Sequence, residues 1–186
     1  MTEIVDCELI GTRLIVWNPT KSVQLYRSGF FGKPVGMAKP KPEQEFDAPL
    51  MLDLMEGIFL LEKRKIRVFD AKTKRRITGA DLRNLAEATY DDFNSAYSVY
   101  RDLREKGYVV TPGIKFGADF AVYERGPGID HAPFLVSVKS KNDSMGSFEI
   151  VRAGRLATTV RKRFTIGIPT NRRPGVEYLA FSWFKA

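Results

Sequence analysis

Apolar positions along the chain change spacing several times, and each change marks a predicted element. Leu14 to Asn18 and Ser22 to Tyr26 are β-rich runs separated by Asn18-Pro19-Thr20-Lys21, a composition that predicts a β-hairpin. Gly29 to Pro42 is broken by glycines and prolines, so it reads as a loop, and it carries Lys33, Lys39 and Lys41. Asp47 then resembles an N-cap with Pro49 just inside a helix. Leu50, Leu54, Ile58 and Leu61 keep helical spacing up to the charged run that starts at Glu62. Ile66 to Phe69 fits a short strand. Thr78 followed by Asp81 has the form of a capping box, opening a helix that runs to about Ala88.

The second half repeats the alternation with longer elements. Ala96, Tyr97, Tyr100 and Leu103 share one helical face after Asp91-Asp92, and Gly107 ends the helix. Tyr108 to Val110 predicts a strand and Thr111-Pro-Gly a turn. Phe116 to Tyr123 and Phe134 to Val138 predict two strands separated by Arg125-Gly-Pro-Gly. A helix follows from Ser147 to about Arg161. Arg163 to Pro169 and Val176 to Phe184 then read as strands joined by Thr170-Asn-Arg-Arg-Pro-Gly. The expected class is α+β, with a small N-terminal α+β domain over 1–90 and a C-terminal mixed sheet flanked by helices over 91–186.

Composition narrows the chemistry. With one cysteine (Cys7) and one histidine (His131), the chain lacks the ligands for thiolate or histidine-cluster metal sites. No apolar run is long enough to span a bilayer, and the first residues lack the pattern of a signal peptide. A soluble, cytoplasmic protein is the expectation. The 30 Lys and Arg exceed the 22 Asp and Glu, giving a net charge of +8. That excess favours polyanionic partners through counterion release.

Three polar residues sit near element ends, where a scaffold presents reactive groups: Tyr123 ending a strand, His131 in the next loop, and Lys162 between the last helix and its strand. Each alone also fits an ordinary surface or packing role. Together with their surroundings they resemble a family. Lys115-Phe-Gly-Ala-Asp-Phe-Ala-Val-Tyr123 is similar to the strand motif that ends in the catalytic tyrosine of archaeal tRNA-splicing endonucleases. His131 follows at the family's distance. Arg155-Leu-Ala-Thr-Thr-Val-Arg-Lys162 matches the family's helix-to-strand segment, and Tyr97 to Val110 matches the helix and strand leading in. The likeness covers about residues 95 to 169, and before residue 90 it is limited mainly to the helix from Pro49 to Leu61.

The resemblance implies a restriction-endonuclease-like core and metal-independent cleavage of precursor tRNA at bulge-helix-bulge sites, with no cofactor. Tyr123 would be the base for the 2′-hydroxyl, His131 the acid for the departing 5′-oxygen, and Lys162 the stabiliser of the charged phosphorane. Products would be a 2′,3′-cyclic phosphate and a 5′-hydroxyl. A phenol, with an ordinary pKa of about 10, is a poor base near neutral pH, so the scheme needs a cation beside it. The rival magnesium-dependent motif of restriction-type nucleases could start at Asp119, but its acidic position before Val138-Lys139 is Ser137.

The resemblance also points to Arg155, with Arg152 nearby, as a clamp on a bulged base. Lys33, Lys39 and Lys41 are candidate RNA contacts. Family members act as four-unit assemblies, docking an acidic loop between the last strands into a basic cleft. Here that loop carries Arg172 and Arg173 and no acid before Glu177. Two arginines repel a basic cleft, so a heterotetramer with an acidic-loop structural subunit is expected. The alternative is a non-catalytic RNA-binding or structural subunit on the same fold.

Overall fold

The structure is a computed structural model that describes residues 4–37, 44–159, 162–170 and 175–181, without the side chains of 152 and 156–159. It divides into two units, Met1–Phe93 and Asn94–Ala186. Both are mixed α/β, consistent with the α+β expectation. No helix of the described residues is long and apolar enough to cross a membrane.

In the first unit six strands lie in the order β3-β4-β2-β1-β5-β6. They are β1 (Val5–Ile10), β2 (Arg13–Val16), β3 (Lys33–Pro34), β4 (Leu50–Leu52), β5 (Ile66–Asp70) and β6 (Arg76–Ile77). The β1 and β5 pair is parallel and the others antiparallel. Helices α1 (Pro19–Arg27), α2 (Leu54–Glu62) and α3 (Gly79–Thr89) connect them. Thr78 and Asp81 form the expected capping box at the start of α3. A second capping box, Asp53 with Glu56, opens α2. Each such cap contributes about 1 kcal/mol by satisfying otherwise orphaned N–H groups. Glu62 of α2 also pairs with Arg83 of α3 at 2.8 Å.

Three sequence expectations change here. The predicted hairpin through Ser22 to Tyr26 is instead α1: the Asn18 side chain accepts from the Lys21 N–H at 3.0 Å, and Pro19 opens the helix. Asn-Pro supplies an N-cap and a preset φ as readily as a turn, and Ser22, Leu25 and Tyr26 then bury one helical face. The predicted helix from Pro49 starts later, because Leu50–Leu52 pairs with β2, and Asp53 rather than Asp47 is the N-cap. The expected loop from Gly29 contains β3, whose Lys33 pairs with Met51 of β4.

The second unit holds five strands in the order β11-β10-β9-β8-β7: β7 (Val109–Pro112), β8 (Phe120–Tyr123), β9 (Phe134–Val138), β10 (Arg163–Pro169) and β11 (Val176–Phe181). Only β9 and β10 run parallel, joined through helix α5 (Ser147–Thr159). Helix α4 (Phe93–Glu105) covers one face: Tyr100 meets Phe120 with ring centroids 6.0 Å apart, and Tyr178 donates a 2.6 Å hydrogen bond to Asp102. Alternation turns Ala121, Leu135, Phe164 and Ile166 to the other face, where Ala153 of α5 packs against them. Covering both faces explains why β8 and β10 read as continuous apolar runs. The predicted strand from Phe116 is shorter than expected. A 3-10 turn over Ile114–Phe116 ends at Gly117 in the left-handed conformation, and Thr111 and Pro112 belong to β7 instead of a turn.

Candidate active site

Strand direction decides which side chains meet. Strand β8 runs antiparallel to β9, and β9 parallel to β10, so the end of β8 and the starts of β9 and β10 share one edge of the sheet. Tyr123 is the last residue of β8, His131 lies three residues before β9, and Lys162 is the residue before β10. Tyr123 has the parity of Ala121, so it stands on the α5 face, half-buried against the cluster that contains Ala121, Leu135 and Phe164. His131 is exposed. The Lys162 ammonium donates a 2.6 Å hydrogen bond to the carbonyl of Ala132, the residue after His131. Beside it the Arg163 N–H donates to Pro133 at 2.8 Å, fixing the same two segments through the backbone.

The loop from β8 to His131 is held by one side chain. The Asp130 carboxylate accepts from the backbone N–H of Glu124 (3.2 Å), Arg125 (2.9 Å) and Gly126 (2.9 Å). It therefore ties the residues just after Tyr123 to the residue just before His131. The turn needs φ of 135° at Gly126 and 85° at Gly128, conformations that glycine adopts without Cβ strain. Partial burial and the like charge of Lys115 hold the Lys162 ammonium below the ordinary lysine range, and Asp130 pulls weakly the other way. A partly desolvated ammonium acts on a nearby anion with less screening by water.

Asp130 thus acts through its neighbours. If the chain cuts RNA as the resemblance implies, Asp130→Ala should lower that rate at saturating enzyme about tenfold to a hundredfold, the scale expected when reacting groups lose alignment. RNA affinity should stay within about threefold, because Asp130 faces its own backbone. Single-turnover kinetics alongside filter binding checks this; equal rates for variant and wild type would remove Asp130 from the site.

The other expected residues are spread more widely. Arg155 is exposed on α5, and the side chain of Arg152 lies outside the described residues. Lys33 is exposed on β3 in the first unit, while Lys39 and Lys41 lie outside the described residues. Asp119, the start of the rival metal motif, accepts the backbone N–H of Val138 at 2.8 Å. Its carboxylate thereby helps to join β8 to β9.

Comparison with known proteins matches residues 93–178 to the catalytic C-terminal domain of tRNA intron endonucleases, and residues 5–83 to their N-terminal domain. The chain is 45% identical to a tRNA-splicing endonuclease of Hyperthermus butylicus over 98% of this chain and 99% of that one. The chain belongs to the tRNA intron endonuclease family. Within the family it is also 39% identical to the tRNA-splicing endonuclease of Sulfurisphaera tokodaii, covering 96% of this chain and 98% of the other. For that of Saccharolobus solfataricus the identity is 36%, over 98% and 100%. Family likeness thus reaches across the first unit, where motif reading found it only near one helix. Sequence reasoning also gave no role to Asp130. Its signal was present: an Asp closing a glycine- and proline-rich turn commonly accepts nearby backbone N–H groups.

Proposed function

We propose that this member of the tRNA intron endonuclease family cuts precursor tRNA at bulge-helix-bulge sites, without a metal, through Tyr123, His131 and Lys162. The observation that carries the reading is the 2.6 Å bond from Lys162 to Ala132, which joins the Lys162 segment to the His131 segment beside the end of Tyr123's strand. Tyr123 takes the proton of the 2′-hydroxyl. The freed oxygen attacks phosphorus and forms the P–O2′ bond. Lys162 stabilises the added negative charge on the phosphorane. The P–O5′ bond then breaks and His131 protonates the departing oxygen, leaving a 2′,3′-cyclic phosphate and a 5′-hydroxyl. Donor chemistry supports the metal-free form: the chain has one histidine and one cysteine, and the acidic position of the rival magnesium motif is Ser137.

The working enzyme in this reading is a heterotetramer with an acidic-loop subunit, acting in the cytoplasm. The segment between β10 and β11 carries Arg172 and Arg173, which lie outside the described residues, and its charge cannot satisfy a basic cleft. Strand β11 is the outer strand of its sheet among the described residues, and Leu179 on it is 52% exposed. The test is cleavage of a bulge-helix-bulge RNA in EDTA, with and without a candidate partner. Cyclic-phosphate ends formed only when both chains are present are expected. Metal-dependent cutting, or cutting by a tetramer of this chain alone, would overturn the corresponding part.

A further inference from the structure

Phe116 is flanked by two ammonium groups. The Lys162 Nζ is 5.5 Å from its ring centroid, and the Lys115 Nζ is 4.7 Å from the same centroid. The ring is half-buried against the cluster that also supports Tyr123, so it anchors both cations beside the reacting edge of the sheet. The two lysines differ in what they already hold. Lys162 spends a donor on the Ala132 carbonyl. Lys115 is exposed at the entrance to β8 and makes no hydrogen bond or ion pair among the described residues. Its charge is close enough to depress the proton affinity of Lys162. Like charges held this near one another repel unless an anion lies between or beside them. RNA brings one such anion per nucleotide, and the cleavage mechanism uses only Lys162.

We propose that Lys115 binds an RNA phosphate neighbouring the scissile one, so that Lys115 and Lys162 grip consecutive positions of the backbone around Phe116. The inference deepens the proposed function and rests on it. Lys115 contributes affinity and register rather than a proton or a bond, because it is exposed and the cleavage mechanism leaves it no such task. A lysine bound to phosphate adds about one unit to the slope of binding against salt, and its loss weakens binding without reference to base sequence.

The experiment measures binding of the assembled enzyme to a precursor with a 2′-deoxy nucleotide at the cleavage position, which has no nucleophile. Lys115→Ala should weaken binding about tenfold and flatten the salt slope by about one. Lys115→Arg should keep both near wild type, and the melting temperature should not move. A neutral methylphosphonate at one of the flanking phosphates should weaken wild-type binding by a similar factor, with no further loss in Lys115→Ala. On all-ribose RNA, the cleavage rate at saturation should stay within about threefold of wild type. Unchanged affinity and salt slope in Lys115→Ala would overturn the proposal. So would full additivity with methylphosphonate at every flanking position, or a loss confined to the saturated rate. Failure of the wild type to cut all-ribose RNA would instead overturn the proposed function, and the binding cycle would still decide on Lys115.

Discussion

Replacing His131 by Ala should reduce cleavage of a bulge-helix-bulge RNA by about 10²- to 10⁴-fold at neutral pH, the range supplied by a positioned general acid. The loss should lie in the chemical step, because His131 is exposed and the fold does not pack around it. Lys162→Ala should cost about 10²- to 10³-fold, as expected for removing one donor from a developing anion. The double variant should fall little below the worse single variant, because groups that serve one transition state are strongly non-additive. Single-turnover rates for the four proteins check this, with RNA binding as the control. A His131→Ala enzyme that cuts within tenfold of wild type would remove His131 from the acid role. A chemical control is available too: a substrate whose 5′-oxygen is replaced by sulfur no longer needs protonation, so His131→Ala should recover most of its rate there.

The largest effect on stability should come from Gly113→Ala. A Cβ at this position would lie 2.7 Å from the backbone carbon of Phe120, 2.8 Å from the Ala118 oxygen and 2.9 Å from the Phe120 nitrogen. All three are backbone atoms within or leading into β8, so no side chain can rotate to make room. Gly113 N–H also donates to the Asp119 carbonyl at 2.8 Å, which fixes its distance from that strand. Overpacking of this kind costs about 1–3 kcal/mol, and each kcal/mol lowers the melting temperature of a unit this size by about 4–8 °C. The melting temperature of the second unit should fall by at least about 4 °C, and cleavage should weaken with it as Lys115 and Phe116 shift. Unfolding followed by near-UV circular dichroism reads the effect, since aromatic residues line that turn. A variant that melts within 2 °C of wild type would show that the strand yields more easily than the geometry implies.

The elements legible in the sequence were those decided by neighbours in the chain. Thr78 and Asp81 announced α3 because a capping box is a local device. Strand β9 came out at Phe134–Val138 as read, bounded by a proline-containing loop on one side. Asn18-Pro19 is ambiguous, since the same two residues open turns and helices, and the form is settled by contacts such as the buried Ser22 hydroxyl donating to the Val16 carbonyl at 3.0 Å. Leu50–Leu52 was misread because its pairing with β2 is a long-range event that helical spacing cannot report. For the site, the motif supplied the three candidate residues, but their place at one end of the sheet depends on strand order. Nothing in the local pattern says that β9 and β10 run parallel, and that pairing brings Lys162 to Ala132. The part played by Lys115 was hidden for a similar reason: its relation to Lys162 passes through a ring whose position is set by the 3-10 turn.

The exposure of His131 has an evolutionary consequence. A side chain that stands in solvent, outside the packed cluster, makes little contribution to holding the sheet together, so a duplicated copy can lose it and still fold. Selection on such a copy would act on its surfaces alone, free of the demands of chemistry. Complementary loss between two copies would make each obligatory to the other, and in the proposed two-subunit assembly the segment bearing Arg172 and Arg173 would be this chain's side of that exchange.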